Sequence, residues 1–308
     1  GCTFTGGLEL TRSGSAGDPI TFDAYGSGPN PVFLGSRTEN DWAAVTGTIY
    51  QKTIFYTPGK TGAGIILQDG APLSFKAWNT DAATSLGGDN GVFTYDPKDM
   101  FSSVIYIRCT DAANPSMHTI DAGYHLIGVH STGVSHISIS NIDFKNYSLH
   151  GVSLRSSNNI SVTGCSAVNI GGAALTVSPA ILYAGNGFEF TVNSSDCTVT
   201  DSSVVNIFDS GFSPQVFESN TTTKNVSFTN CVADKCGFAG IEISVLRYNA
   251  SSGEKLENIF VSGCTVKNSG TGWSGRRYGN EGHGIRVKAD DGAGSIKGVS
   301  ITRTEVSG

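Results

Sequence analysis

The chain has 308 residues, of which 40 are glycine, 7 are cysteine and only 15% are charged, and its formal net charge is −6. The negative balance excludes a general nucleic-acid binder, and no apolar run reaches the ~18 residues that a membrane-spanning helix requires. Abundant Gly, Ser, Thr, Asn and Val suit short strands and tight turns, and the length allows one long core plus an excursion.

Residues 1–38 contain two short apolar stretches, 19–26 and 31–35, which read as the first coils of a repeating β structure. Residues 39–118 lose that spacing and gain Trp42, Trp78, Gly-rich turns and alternating stretches at 53–56 and 104–108. They are expected to form a β-rich insertion, a small sheet or sandwich beside the main body. Residues 119–308 follow a ruler. Segments beginning at Ile137, Ile160, Cys197, Val226 and Ile259 each reach a polar turn position nine residues later, at Asn146, Asn169, Asn206, Lys235 and Asn268. A glycine follows five residues after the turn at Gly151, Gly211 and Gly240, and is delayed to Gly187 and Gly284 elsewhere. One unit is being stacked, with insertions admitted at particular places, as in a solenoid.

Within each unit the pairs Ile137/Ile139, Ile160/Val162, Val226/Phe228 and Ile259/Val261 alternate with the period of a half-buried strand. The 3.6-residue period of a helical repeat is missing. The strand period, the unit length and the asparagine column at 146, 169, 206 and 268 make residues 124–308 resemble right-handed parallel β-helix proteins of the pectin-lyase type. That resemblance implies an all-β single-stranded solenoid. Lys235 departs from the asparagine column, so one turn must be satisfied differently. The last unit starts at Val299 and breaks off at Gly308, where its turn residue is due, and no signal segment begins at Gly1. The chain is therefore expected to be truncated in mid-coil, a fragment of a longer secreted protein.

Cys165, Cys231 and Cys264 occupy equivalent positions, with Ile142 and Ser202 completing a column of small residues expected to be packing elements. A Cys231–Cys236 or Cys231–Cys264 disulfide is open, and an odd cysteine count without a CxxC pair argues against zinc.

Aligning the glycines puts apolar residues one and three places later, facing inward. Residues two and four places later then face outward on one sheet. The first outward column is His130, Ser153, Glu189, Ser213, Glu242 and Arg286, and the second is Thr132, Arg155, Thr191, Gln215, Ser244 and Lys288. Insertions at 170–186 and 269–283 on one side, with lengthened stretches after Gly211, Gly240 and Gly284 on the other, would wall this strip into a groove. Catalytic candidates are Glu189, Asp209, Glu242, Arg286 and Lys288. Binding candidates are Arg155, Gln215, His150 and His283, with Arg247, Tyr248, Arg276, Arg277 and Tyr278 in the walls. Arginines bind acid groups bidentately and tyrosines stack on sugar rings, so an anionic polysaccharide is the expected partner.

In β-elimination from a uronic acid polymer a cation neutralises the carboxylate and a base removes the C5 proton. Some β-helix lyases use an Arg and Lys pair, and the resemblance implies Arg286 as neutraliser and Lys288 as base. In hydrolysis, Glu189 and Glu242 would act two coils apart, ~9.6 Å between strand positions, near the upper end of the ~6.5–9.5 Å range of inverting enzymes. Asp209 on the intervening coil could pair with either. Residues 282–288 resemble the Gly-His-Gly and Arg-Ile-Lys elements of polygalacturonases, although that family's paired-aspartate motif is missing. Glu242 and Arg286 also read as a plain surface ion pair. The expected protein is a secreted or cell-surface bacterial polysaccharide lyase, with a glycoside hydrolase and a non-catalytic carbohydrate-binding solenoid as alternatives. No cofactor is expected; calcium near Asp290 and Asp291 lacks ligand-loop spacing.

Overall fold

A computed structural model describes residues 1–59, 62–97, 102–177, 181–246, 253–275, 282–290 and 294–308. Each unit closes as three short strands, for example His150–Arg155, Asn158–Thr163 and Ser166–Ile170. Equivalent strands of successive units pair in parallel, giving three sheets of seven, seven and eight strands. The chain is a right-handed parallel β-helix, the hand that crossovers between parallel strands take. Residues before the insertion belong to the same stack. Thr3–Thr5 pairs with Val32–Leu34, Leu8–Leu10 with the strand Ile127–Thr132, and Ile20–Phe22 with Ser135–Ser140.

The apolar positions of the ruler meet inside. Ile137, Ile160, Cys197, Val226 and Ile259 are at most 2% exposed, and Phe188 stacks on Phe212 with centroids 5.4 Å apart. The cysteine column is buried as its pattern implied, and its members do one chemical job. Cys165, Cys231 and Cys264 each point a thiol at the carbonyl two residues back, as the Ser202 hydroxyl does with Thr200 at 2.9 Å. Ser and Cys interchange here as small X–H donors, while Ile142 fills the same position with a buried apolar side chain. All seven cysteines are free, so neither disulfide open from the sequence is made. Burial pushes the Cys165 thiol up to about 11.

The turn column has a backbone cause. Asn146, Asn169, Asn206, Lys235 and Asn268 all sit at φ between 52° and 62°. Side chains other than Gly, Asn and Asp adopt this left-handed region at a cost of about 1 kcal/mol. The asparagine amides also bond along the stack: Asn169 Nδ2 donates to Asn146 Oδ1 (3.1 Å) and Asn206 Nδ2 to Asn169 Oδ1 (3.2 Å). Across the Lys235 turn, Asn268 Nδ2 bonds instead to Asp234 Oδ1 at 2.8 Å. Two more such columns exist. One runs through Asn159, Asp196, Asn225 and Asn258 inside the second sheet, the other through Asn141, Asp201 and Asn230 at the next corner. Lys235→Asn should remove the left-handed penalty and extend the amide ladder. We expect it to raise stability by about 0.5–1 kcal/mol, measured by denaturant unfolding; a destabilised variant would contradict this account of the turn.

The stretch between the first coils and the regular coils builds two further sheets. Ser74–Phe75, Val92–Asp96, Ser102–Arg108, Ile49–Phe55 and Ala43–Thr46 form a five-stranded sheet. Ser36–Thr38, Ile120–Gly123, Ile66–Gln68 and Ala71–Pro72 form a four-stranded one. A helix, Ala82–Leu86, is capped by the Asp81 side chain on the Thr84 N–H. These elements dock on the solenoid corner through aromatic contacts: Phe75 lies 4.8 Å from Tyr183 and 5.3 Å from Phe208, and Phe93 stacks at 5.9 Å on Trp273. Tyr95 Oη donates to the Gly172 carbonyl at 2.6 Å. No helix among the described residues is long and apolar enough to cross a membrane.

His118 bridges two turns of this region, with Nδ1 2.8 Å from Asp69 and Nε2 3.2 Å from Asp111. Its hydrogen bond to Asp69 raises the imidazole above its ordinary 6.5. The Thr119 N–H and His118 hold Asp69 below the carboxylate value of 3.8, and the Ala113 N–H does the same for Asp111. The histidine's contribution is complete below 6.5 and is lost as pH rises through its raised folded value; the carboxylates' contribution is complete above 3.8 and is lost as pH falls. Amide exchange protection at residues 109–119 should therefore peak between these limits. In His118→Ala the decline on the alkaline side should disappear, and an unchanged profile would contradict the clamp.

Candidate functional site

The first sheet carries the site, and its glycine column is set by the opposite wall of the solenoid. A Cβ on Gly151 would lie 2.7 Å from the Ala167 Cβ, and one on Gly211 would lie 2.8 Å from the Val204 side chain. The backbone turns inward there for two consecutive residues, so the residue before each glycine faces out. Strand pairing aligns these outward residues as His150, Asn186, Ser210 and Ala239, with His283 in the next coil. Both outward columns expected from the sequence are registered as read, from His130 to Arg286 and from Thr132 to Lys288.

Three columns thus share one face, and they interlock. Glu189 is 7% exposed, and its Oε2 lies 3.0 Å from His150 Nε2 and 3.1 Å from Asn186 Nδ2. The Asn186 backbone N–H donates to His150 Nδ1 at 3.1 Å, which leaves the imidazole proton on Nε2, pointing at the glutamate. Burial holds the His150 pKa below its ordinary value, although the Glu189 charge opposes the shift. His150 is therefore a neutral donor. Among the described residues the second oxygen of Glu189, Oε1, takes no hydrogen bond.

Glu242 is held differently. Its Oε2 accepts from Ser210 Oγ at 2.8 Å, and its Oε1 from Ser244 Oγ at 2.8 Å and Arg286 at 2.9 Å. The Arg286 guanidinium also lies 5.0 Å over the Phe238 ring. This pair was expected at the surface, yet the side chains are only 15% and 7% exposed. A carboxylate offers about four lone-pair sites, so three donors leave one. Ser210 links the two centres, because its N–H donates to Asn186 Oδ1 at 3.1 Å while its hydroxyl holds Glu242. Asn186 and Ser210 were not singled out from sequence. Asn186 ends a delayed segment that reads as a wall, and only its place before the glycine could have marked it.

The remaining candidates fall around this centre. Asp209 is 8% exposed at the corner beside Ser210. Gln215 bonds Ser213, and Arg155 forms an ion pair with Glu218. Lys288 lies farther out, half exposed, with its Nζ 3.1 Å from Asp290. Its near neighbour is thus a carboxylate. His283 packs edge-on against Phe238 at 5.3 Å. Arg247, Tyr248, Arg276, Arg277 and Tyr278, with Asp291, lie outside the described residues. Among the described residues no three His, Cys, Asp or Glu side chains are grouped to hold a metal ion.

The chain is thus a parallel β-helix with a buried carboxylate network on one outer face. No protein-family model matches the sequence, and no curated protein matches it. Among solved structures it is similar to XylC in complex with xylose, at 7% identity and a TM-score of 0.40 over 92% of this chain and 79% of that one. A glycoside hydrolase gives 9% and 0.40 over 98% and 88%, and the catalytic domain of a GH87 α-1,3-glucanase with tetrasaccharides gives 9% and 0.25 over 89% and 93%. Likeness at this level leaves function to the chain's own residues.

Removing Arg286 would leave Glu242 buried with only hydroxyl donors. Breaking a buried pair from one side costs about 3–5 kcal/mol. Arg286→Ala should lose stability at the lower end of that range in denaturant unfolding, and a loss below 1 kcal/mol would place the pair among ordinary surface contacts.

Proposed function

We propose that this chain is a glycoside hydrolase that cleaves a polysaccharide lying on the first sheet, with Glu189 as general acid and Glu242 as general base. The observation that carries this reading is the contrast between two carboxylates on one face. Among the described residues Glu189 meets only the neutral donors His150 and Asn186, both at Oε2, and leaves Oε1 without a hydrogen bond. Glu242 has its charge balanced by Arg286 and retains one lone-pair site for a water molecule. Pairs of carboxylates in unequal surroundings are how acid and base roles are divided. Their strands stand two coils apart, ~9.6 Å; spacing on that scale, rather than the ~5–5.5 Å between the carboxyls of retaining enzymes, favours a water between base and sugar and inversion of the anomeric centre. Asp209 lies at the same cleft as a further substrate contact. A polymeric substrate implies work outside the cell.

β-Elimination stood first in the sequence reading, and the contacts of its two cations weigh against it. The Arg286 guanidinium is engaged by Glu242 through Nη1, so its charge is already balanced, and Lys288 is engaged by Asp290. The test is a polysaccharide panel read for reducing ends, for the ultraviolet absorbance of unsaturated uronyl ends, and for the anomer released. Reducing ends without that absorbance, and an inverted anomer, are expected. General acid–base groups contribute about 10²–10⁴-fold, so Glu189→Gln and Glu242→Gln should each lose at least 10²-fold in kcat. Unsaturated ends, or full activity in Glu189→Gln, would overturn the assignment; binding without any new ends would make the chain a carbohydrate-binding solenoid.

A further inference from the structure

The contacts of the strip also bear on the charge of its substrate. We propose that the cleft takes a neutral polysaccharide rather than a uronic acid polymer or a sulfated glycan. This deepens the hydrolase reading and rests on the same strip.

Arginine and lysine in the outward columns suggested an acidic ligand, but each of these cations already has a carboxylate. Arg155 is paired with Glu218, Arg286 with Glu242 at 2.9 Å, and Lys288 with Asp290 at 3.1 Å. Glu189 adds a further acid, so among the described residues of the two outward columns and their partners four carboxylates face three cations, and burial keeps His150 neutral. An incoming sugar carboxylate or sulfate would meet cations whose charge is already balanced, and would compete with their carboxylates. It would do so on a net-negative floor where Glu189 and Glu242 are at most 7% exposed. Charge repulsion is strengthened, and the cost of an abandoned partner is greatest, where water is excluded.

A neutral glycan meets neither cost. Between the charges the floor has uncharged hydrogen-bonding groups with some solvent access, Ser153 (8%) and Gln215 (7%). Sugar hydroxyls can both donate to and accept from such groups, so binding needs no counter-charge.

The probes are a β-glucan, a xylan and an α-glucan, each beside its own carboxymethylated derivative, so that backbone is held constant while charge changes. With the wild-type chain we expect at least one neutral polymer to be bound, and cut to reducing ends, about tenfold better than its carboxymethylated partner. Affinity for the neutral member should be insensitive to salt. Glu218→Gln and Asp290→Asn, both at partly exposed positions, release Arg155 and Lys288. Each should raise affinity for the carboxymethylated member several-fold at low salt, with the gain screened away near 1 M salt. A wild-type preference for the anionic member that weakens with salt would overturn the proposal while leaving hydrolysis standing. Preferential binding of a neutral member with no new reducing ends would support the charge inference and reject the hydrolase.

Discussion

Everything in this molecule depends on keeping successive coils in step, and left-handed backbone at fixed corners does this. The column from Asn146 to Asn268 holds φ near 55° in every coil, and the amides of Asn169 and Asn206 reach back to the coil before. A turn of fixed shape determines where each strand begins, and a slip of one residue would exchange inward and outward side chains. The register of the face bearing Glu189 and Glu242 is therefore set at the corner that precedes each of its strands.

The site inherits its chemistry from that register. Because the glycines let the backbone press against Ala167 and Val204, the preceding residue is turned outward beside the acidic column. A donor in one coil then serves a carboxylate in the next, as His150 serves Glu189 and Ser210 serves Glu242. Buried charges persist only when paired or hydrogen-bonded, and these contacts satisfy that demand without filling every lone pair. Asn186 joins the two halves through three separate groups, its main-chain N–H, its side-chain nitrogen and its side-chain oxygen. The insertion is anchored to the adjoining corner by Phe75 and Phe93 on Tyr183, Phe208 and Trp273, next to the strand that carries Ser210.

The three-sheet solenoid and both outward columns were legible because alternation and turn spacing are local properties that repeat. The interpretation of Lys235 was half legible: its departure from asparagine was visible, but the substitute acceptor, Asp234, sits one residue earlier. The other left-handed columns were hidden because Asn, Asp, Gly and His share them, so no single residue type marks them. Charge pairings were the least legible part. Glu218, which neutralises Arg155, and Asp290, which neutralises Lys288, lie outside the aligned columns, so the strip read as more cationic than its contacts make it. The docking of Tyr183 and Trp273 was equally out of reach, since each lies in a delayed segment with no periodicity.

The most direct measurement is a crystal structure of the Glu189→Gln chain soaked with a neutral oligosaccharide that the wild type cuts. The account predicts sugar rings running across the coils of the first sheet, with a glycosidic oxygen beside the residue 189 side chain and an ordered water held by Glu242. Sugar bound on another face, or a sugar carboxylate seated on Arg286 in place of Glu242, would contradict it.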